Sequence, residues 1–376
     1  MLTMAPPTSR PRAPLLTLPA LLASIALLTA CERNTITTAE EPPRPATSLF
    51  LMSAEHACAL ASDGQVWCAG ANAAGQLGDN TYTTRAELQP VEGLQDAAGL
   101  AISPLHNSCA WDTEAALWCW GGNESGLLGP ATEADNSPMP VRIAELPPVT
   151  SATLGAYHAC ALTTDAQVFC WGENRRGQLG RGAASPPDPT PQRVQLDEKV
   201  IALTAGLEHT CALTETGEVF CWGHNRHGAL GTTTEGDIAP APRKLQLSEP
   251  AHAIAAAGYH SCTVTGPERT LTCWGDNTFG QLGLGDRLPR AEPTPIPGAI
   301  ALAELATSGA AVCFRNIDAT VFCAGGPPDA PAELATRFNA TPLLSRTRAM
   351  HGAMGGICGI EGDHQIACRK LENATD

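Results

Sequence analysis

Clusters of basic residues are missing from this sequence of 376 residues. Its 38 acidic residues outnumber the 23 lysines and arginines, and its longest basic groupings are as short as Arg175-Arg176. Because proteins hold nucleic-acid phosphates with clusters of lysine and arginine, the composition argues against a general nucleic-acid binder. We therefore expect no nucleic acid among the partners of this chain.

Motifs that carry enzymatic chemistry are missing as well. The sequence has no G-x-S-x-G nucleophile elbow, no H-E-x-x-H pair and no glycine-rich phosphate loop ending in Lys-Ser or Lys-Thr. Acidic residues are abundant enough for two carboxylates to meet as an acid/base pair, but nothing in the sequence selects a pair. We expect no enzyme, no catalytic residue and no cofactor, and the alternative is an enzyme that cleaves polysaccharide through such a pair.

Cysteine, in contrast, is abundant, and 15 cysteines are too many for a protein of a typical reducing cytosol. Fourteen of them form seven pairs: Cys58 with Cys68, Cys109 with Cys119, Cys160 with Cys170, Cys211 with Cys221, Cys262 with Cys273, Cys313 with Cys323 and Cys358 with Cys368. The separation within a pair is ten residues, or eleven in the fifth pair, and successive pairs begin 51 residues apart five times and 45 apart once. This regularity indicates seven copies of one structural unit.

Further residues recur around each cysteine pair. The third unit reads G-A-Y-H at Gly155–His158, C-W-G-E-N at Cys170–Asn174 and G-Q-L-G at Gly177–Gly180. Each unit has about four short apolar runs separated by Gly, Pro, Asp and Asn, a pattern typical of β-strands. One four-stranded sheet of this size cannot bury both faces, whereas sheets stacked radially can. The sequence therefore predicts an all-β fold, a seven-bladed β-propeller of about 51-residue repeats.

The segments Gly206–Leu213 and Cys221–Asn225, together with five copies of Gly-x-Leu-Gly, resemble the repeats of the regulator of chromosome condensation family. The resemblance covers Ser48 to Leu371 and implies a seven-bladed propeller. The sixth and seventh units depart from the pattern, since neither has Gly-x-Leu-Gly after its second cysteine. The seventh unit also lacks a fourth strand, for which the β-prone segment Thr35–Thr38 is a candidate.

The same resemblance implies a function. The family includes a secreted bacterial inhibitor of β-lactamases that binds through a propeller face, so we expect a non-catalytic binding module for a protein or a glycan. The eukaryotic founder of the family is an exchange factor for a small GTPase, which makes guanine-nucleotide exchange a remote alternative.

The spacing of each cysteine pair fits a hairpin with the two cysteines opposite one another. With Cys211 opposite Cys221, the residues Glu215–Gly217 form a three-residue loop, and Gly217 suits a left-handed backbone conformation. Alanine at that place in other units, such as Ala166, predicts that the turn type is not uniform. Directly opposed residues have Cα atoms about 4.5–5.5 Å apart, within the range of a disulfide. We predict one cross-strand disulfide per blade, seven in all.

Two kinds of repeated side chain could be taken for binding residues, for a metal in one case and for a sugar in the other. A histidine lies two residues before four of the cysteines (His56, His158, His209 and His260), but zinc sites use C-x₂₋₄-C spacing, which is absent from the pairs. We interpret these histidines as packing residues and expect no metal. A tryptophan follows four of the cysteines (Trp120, Trp171, Trp222 and Trp274), and we interpret it as a contact between blades rather than a sugar-stacking platform.

The loops after Gly-x-Leu-Gly differ most between units, so we predict that they recognise the partner. They carry seven acidic residues, namely Asp79, Glu133, Asp135, Asp188, Glu235, Asp237 and Asp286. These would make one end of the ring acidic and favour a partner with basic patches.

The first residues predict the compartment. Arg10 and Arg12 precede an apolar run, Leu15–Leu28, of signal-peptide length. The quartet Leu28–Cys31 resembles a bacterial lipobox, and the alternative is an ordinary signal peptide. We predict a lipoprotein signal peptide at residues 1–30, a lipidated Cys31 beginning a polar tether at 31–47, and a propeller at 48–376. The expected product is a monomer anchored to a membrane of the bacterial cell envelope, periplasmic or surface-exposed.

Overall fold

The computed structural model describes residues 46–370 apart from 234–236, 327–335, 341–348, 354–355 and 361–365, with side chains up to Phe338. The predicted signal peptide, Cys31 and the candidate strand Thr35–Thr38 lie outside the described residues. Within this part of the chain nearly all regular structure is β, and the single helical element is a 3₁₀ turn at Arg226–Gly228. None of the described helical structure is long and apolar enough to cross a membrane.

The strands group into antiparallel sheets in chain order. The first three sheets contain β1 (Thr47–Met52), β2 (His56–Ala61), β3 (Val66–Gly70), β4 (Arg85–Pro90), β5 (Ala97–Ile102), β6 (Asn107–Asp112), β7 (Leu117–Gly122), β8 (Asn136–Arg142), β9 (Val149–Leu154), β10 (His158–Thr163), β11 (Val168–Gly172) and β12 (Asp188–Arg193). The next three contain β13 (Val200–Ala205), β14 (His209–Thr214), β15 (Val219–His224), β16 (Ile238–Lys244), β17 (Ala251–Ala257), β18 (His260–Thr265), β19 (Thr270–Gly275), β20 (Arg290–Pro295), β21 (Leu302–Ser308), β22 (Ala311–Asn316), β23 (Val321–Gly325) and β24 (Asn339–Ala340). The last contains β25 (Ala349–Ala353), β26 (Gly356–Ile360) and β27 (Ile366–Lys370).

The sheets are the blades of a propeller. The first strand of each sheet contacts the first strands of both neighbouring sheets, so these strands line the axis of the ring. The second strand of a blade also contacts the first strand of the next blade, as β10 contacts β13. Every position of β10 is buried, which explains why its sequence H-A-C-A-L-T does not alternate with polar residues. The fourth strand is outermost, and β12 tolerates two prolines because an edge strand leaves N–H positions unpaired.

The predicted number of blades is wrong. In the described part of the chain six four-stranded sheets form complete blades, while β25, β26 and β27 form a three-stranded sheet. In this sheet β25 contacts both β21 and β1, which places it between the sixth blade and the first. A blade is complete only when a fourth strand pairs with the third, and the described residues supply no partner for β27 on that side. The candidate strand Thr35–Thr38 lies outside the described residues.

A cross-strand disulfide is present in each of the six complete blades, with Cα–Cα distances of 4.0–4.2 Å. The six bonds join Cys58 to Cys68, Cys109 to Cys119, Cys160 to Cys170, Cys211 to Cys221, Cys262 to Cys273 and Cys313 to Cys323. The Cα–Cα distances are shorter than the predicted 4.5–5.5 Å, because a bond between directly opposed cysteines draws the two strands together.

The register of the strands brings the cysteines opposite one another. In the fourth hairpin the register is the predicted one, because Cys211 pairs with Cys221 and Leu213 with Val219. In the fifth hairpin Cys262 still pairs with Cys273, and the extra residue of that unit is accommodated in the turn beyond Thr265 and Thr270. For the predicted seventh disulfide, the strand register places Cys358 opposite Cys368, whose side chains lie outside those described.

The prediction that alanine at the place of Gly217 gives a different turn from glycine is wrong. Gly217 has a φ of +81°, and Ala166 has a φ of +61° at the same place. Both backbone N–H groups donate to the carbonyl three residues earlier, at 3.0 Å. A left-handed alanine is strained, but the neighbouring strands pair over their full length and impose one turn geometry on both residue types.

Candidate binding face

The two ends of the ring carry different connections. The turn between the first and second strands and the long loop between the third and fourth strands leave each blade at the same end, because the strands are antiparallel and in chain order. We call this end the long-loop face. The three-residue hairpin loops, such as Glu215–Gly217, lie at the opposite end.

The first turns of successive blades join into a rim around the axis on the long-loop face. The Ala156 N–H donates to Leu207 O at 2.9 Å, and the Leu207 N–H donates to Gly258 O at 2.8 Å. One residue in each turn directly precedes the second strand, and we call these residues the rim residues. They are Glu55, His106, Tyr157, Glu208, Tyr259 and Ala310.

The buried histidines lie just beneath the rim and join neighbouring blades. His158 Nε2 lies 2.8 Å from Thr210 Oγ1 of the next blade, and His56 and His209 make the same contact with Ser108 and Ser261. Burial lowers the pKa of His158 to about 4 and that of His209 to about 3. These side chains are therefore neutral at pH 7, and their role in packing is confirmed.

Metal binding finds no geometric support in the described part of the chain, where no three His, Cys, Asp or Glu side chains gather around one point. The fourth histidine differs from the other three, since both ring nitrogens of His260 lack a hydrogen-bond partner among the described residues. At the place of Thr210 the next blade has Val312, which offers no hydroxyl group.

The tryptophans also join blades. Trp171 Nε1 donates to Leu127 O of the preceding blade at 3.0 Å, and Trp274 Nε1 donates to Ala229 O at 2.9 Å. Trp120 and Trp222 do the same, and all four indole rings are at most 1% exposed. The interpretation of these residues as contacts between blades is confirmed, because a buried ring cannot stack on a sugar.

The asparagine of each C-W-G-x-N element shapes the loop that follows it. Asn174 Oδ1 accepts the Leu179 N–H at 3.1 Å, and its Nδ2 donates to Ala183 O at 3.0 Å. The first, second, fourth and fifth blades repeat the contact to the leucine N–H. The loops of the long-loop face are therefore held from inside, and their outer residues are free to vary.

The seven predicted acidic residues do not act alike, which corrects the expectation of a uniformly acidic end. Asp79, Asp188 and Asp286 each bind an arginine of their own loop, at 3.1, 2.5 and 2.7 Å. The hydrogen bond from Arg290 lowers the pKa of Asp286, so its charge is locally balanced. Glu133, Asp135 and Asp237 are exposed, and Glu235 lies outside the described residues.

A cavity of about 480 Å³ opens on the long-loop face between the first three blades. Its lining includes Ala73 and Ala74 of the first blade, Leu105, His106, Asn107, Gly122, Glu124, Ser125, Leu127, Asp135 and Asn136 of the second, and Ala156 and Tyr157 of the third. Two tyrosines flank it: Tyr157 is 42% exposed, and Tyr82, which is 51% exposed, donates to Asn136 Oδ1 at 2.7 Å.

His106 is held at the edge of this cavity by the first blade. Its Nδ1 lies 3.0 Å from Glu55 Oε2. The hydrogen bond that His106 donates to Glu55 raises the pKa of His106 despite partial burial, and the same bond lowers the pKa of Glu55. The two side chains thus form an ion pair when His106 is protonated.

A second polar group lies on the rim between the fourth and fifth blades. His224 Nδ1 donates to Glu208 Oε2 at 2.7 Å, and the Tyr259 hydroxyl donates to the same oxygen at 3.2 Å. The Arg226 guanidinium carbon lies 4.8 Å from the centre of the Tyr259 ring. Burial, aided by the Glu208 charge, raises the pKa of Tyr259. The group closes this part of the rim by contacts within the chain.

Sequence reasoning missed the rim, although a signal was present. The residue before each buried histidine or its equivalent changes from copy to copy inside an otherwise regular motif, as Glu55, Tyr157 and Glu208 show. The tertiary structure brings these separated positions together on one ring.

Together, the ring of sheets and the cross-strand disulfides define a disulfide-linked β-propeller. A model of the RCC1-like domain matches residues 37–329, and the chain belongs to this family. The resemblance to the regulator of chromosome condensation repeats is thereby confirmed.

Two curated relatives and one solved structure illustrate the family. The chain is 28% identical to the ultraviolet-B receptor UVR8 of Arabidopsis thaliana, over 66% of this chain and 58% of the receptor. It is 30% identical to the secretion-regulating guanine nucleotide exchange factor of Mus musculus, over 63% of this chain and 57% of that protein. It thus spans less than two thirds of either relative. Yeast RCC1 (Prp20), in a crystal structure with bound Kap60, is similar in fold with a TM-score of 0.72 at 17% identity, covering 90% of this chain and 85% of that one.

Proposed function

We propose that this chain is a lipid-anchored propeller of the bacterial cell envelope that binds a partner through its long-loop face and catalyses no reaction. One observation carries the proposal. Side chains that recur in the blades, such as His158 and Trp171, are used in contacts between blades, whereas the rim residues differ from blade to blade. A rigid scaffold with varied residues on one surface is the usual arrangement of a recognition protein.

A protein is the partner that we favour over a glycan. Yeast RCC1, which shares the fold, is bound to the protein Kap60 in its crystal structure. Exposed tyrosines on the same face, Tyr82 and Tyr157, are of a residue type enriched at protein interfaces.

The envelope location rests on two features. Six disulfides form and persist in an oxidising compartment and are rare in a reducing cytosol. The apolar run Leu15–Leu28 and the lipobox-like Leu28–Cys31 add an export signal and a lipid attachment point. An exchange factor for a small GTPase is a weaker candidate, because it would need a nucleotide-loaded partner in that compartment.

Fractionation of cells that express the full chain tests the anchor. The wild-type protein is expected in the membrane fraction, and Cys31→Ala is expected in the soluble fraction because the thiol that carries the lipid is gone. Continued association of Cys31→Ala with membranes would contradict the lipid anchor.

Capture from cross-linked envelope extracts tests the binding face. The full chain is expected to retain a protein partner that is lost with Tyr157→Ala. A matched control is Ile317→Ala, which removes an exposed apolar side chain (68% exposed) from a hairpin loop at the opposite end of the ring. Equal capture by both variants would count against the long-loop face, and glycan cleavage without a retained partner would favour the enzyme alternative.

A further inference from the structure

Two junctions on the rim use the same positions with different residues. Counted from the cysteines of each blade, Glu124 of the second blade corresponds to Arg226 of the fourth, and Gly122 corresponds to His224. Tyr157 and Tyr259 are the rim residues of the blades that follow.

The junction between the fourth and fifth blades is filled by its own side chains. Arg226 lies over the ring of Tyr259, and His224, whose side chain is 11% exposed, fills the space beside Glu208. A guanidinium group over a tyrosine ring is attracted by the negative face of the π-system. The molecule thus contains one complete pairing of an arginine with a rim tyrosine and a nearby carboxylate.

The junction between the second and third blades lacks the two side chains that close the other one. Gly122 has no side chain, and a Cβ atom added there would meet its nearest neighbour, His106 Cβ, at 3.6 Å, an ordinary contact distance. The space that His224 fills at the other junction is therefore part of the cavity here. Glu124 replaces the arginine, and Tyr157 remains 42% exposed.

The charges around this cavity favour a cation. Glu124 and Asp135 line it and form no ion pair with any described residue. His106 is the one lining residue that can take up a positive charge, and its Nδ1 is already paired with Glu55 Oε2 at 3.0 Å. The bond to Glu55 raises the pKa of His106, and the Glu124 charge acts in the same direction. Asn136 and Ser125 add polar groups to the wall, and Leu105 and Leu127 add an apolar surface for an aliphatic chain.

We propose that the cavity between the first three blades binds an arginine side chain of a protein partner, which takes the place that Arg226 occupies at the other junction. Its guanidinium group would lie over Tyr157 and beside Glu124. Arginine is favoured over lysine because its planar group stacks on aromatic rings and is more weakly hydrated. This inference rests on the proposed binding function and names the chemistry of the partner.

Saturation-transfer NMR with the full chain tests the proposal, with N-acetylargininamide as the probe and N-acetylcitrullinamide as its neutral analogue. We expect the arginine probe to bind at least tenfold more tightly than the citrulline probe. Glu124→Arg is expected to weaken that binding at least tenfold, because the introduced arginine occupies the site. Glu114→Arg makes the same charge change in the same blade, on the hairpin loop at the opposite end, and is expected to bind as the wild type does.

A filled-cavity variant gives a second measurement that does not depend on charge. Gly122→His, which copies His224, is expected to reduce arginine binding at least tenfold while the thermal midpoint stays within about 2 °C, since small surface changes have small effects on stability. Equal binding of the two probes, equal loss in Glu124→Arg and Glu114→Arg, or unchanged binding in Gly122→His would overturn the proposal. If the arginine probe does not bind but Tyr157→Ala still loses the captured partner, the binding function stands and this inference falls.

Discussion

The second-to-third and fourth-to-fifth blade junctions share a framework and differ at the surface. In both, a buried tryptophan donates to a carbonyl of the preceding blade, Trp171 to Leu127 and Trp274 to Ala229. At the rim the second-to-third junction is open around Tyr157, whereas the fourth-to-fifth junction is closed by Arg226 over Tyr259. Repetition of the framework residues therefore builds the ring, and departures from the repeat at a few outer positions shape its surface.

The largest expected effect comes from removing the shared framework. Trp171→Ala and Trp274→Ala should each lower the free energy of unfolding by about 3–5 kcal/mol, the usual cost of truncating a buried aromatic side chain. Chemical denaturation of both variants measures this. A much smaller loss of unfolding free energy in one variant than in the other would show that the two tryptophans do not contribute equally to their junctions.

Acid stability should distinguish the two junctions next. The residue that begins the second strand, just beneath the rim, is Asn107 in the second blade and His209 in the fourth. Burial lowers the pKa of His209 to about 3. Below pH 6.5 the unfolded histidine takes up a proton that the folded one does not, so stability falls as the pH drops from 6.5 towards 3.

The variant His209→Asn, copied from Asn107, should therefore flatten the pH dependence of unfolding by about 1.4 kcal/mol per pH unit in that window. Denaturation midpoints between about pH 4 and 7 measure the change. A slope equal to that of the wild type would mean that His209 is protonated alike in both states.

A smaller gain is expected where the framework is incomplete. His260 lacks the hydroxyl partner that His158 and His209 have, because Val312 stands in its place. Val312→Thr keeps the shape and supplies a hydroxyl group, so it should raise the free energy of unfolding by about 1 kcal/mol, the net value of one hydrogen bond. A loss of stability in thermal denaturation would show that the new hydroxyl group remains unpaired.

The smallest effect on stability should come from opening the closed junction. Arg226→Glu, which copies Glu124, removes an exposed contact with Tyr259 that is worth about 0.5–1 kcal/mol. Because His224 still fills the space that Gly122 leaves open at the other junction, binding of N-acetylargininamide should be gained only when Arg226→Glu is combined with His224→Gly. No gain in this double variant, measured as for the wild-type cavity, would show that the open space and the carboxylate do not suffice to make the site.

Much of the scaffold was predictable because its signals are local and repeated. Cysteines ten residues apart indicate a hairpin, and the register of Cys211 with Cys221 follows from that spacing. The packing role of His158 and the contact of Trp171 between blades were also predicted. The number of blades was not, since seven cysteine pairs predicted seven blades, although the seventh unit was already seen to lack a fourth strand of its own.

The candidate site was less accessible from the sequence. Acidic residues in the long loops were predicted to face a partner, yet Asp79 and Asp188 bind arginines of their own loops. An arginine only six or seven residues away along the same loop is close enough to pair with the carboxylate before any partner arrives. The rim went unnoticed, since Glu55 and His106 lie about one repeat apart and meet only when the ring forms.

The amino-acid sequence was enough to establish the β-sheet class, the repeat, the cysteine partners in the first six hairpins and the tryptophan contacts between blades, because each depends on spacing within one unit or between adjacent units. The tertiary structure was needed to show that the described residues form six complete blades, that one alanine turn is as left-handed as its glycine counterpart, and that one rim junction is open while another is closed. Those features depend on how blades meet around an axis. The side chains of three blades surround Gly122, and together they leave a cavity there.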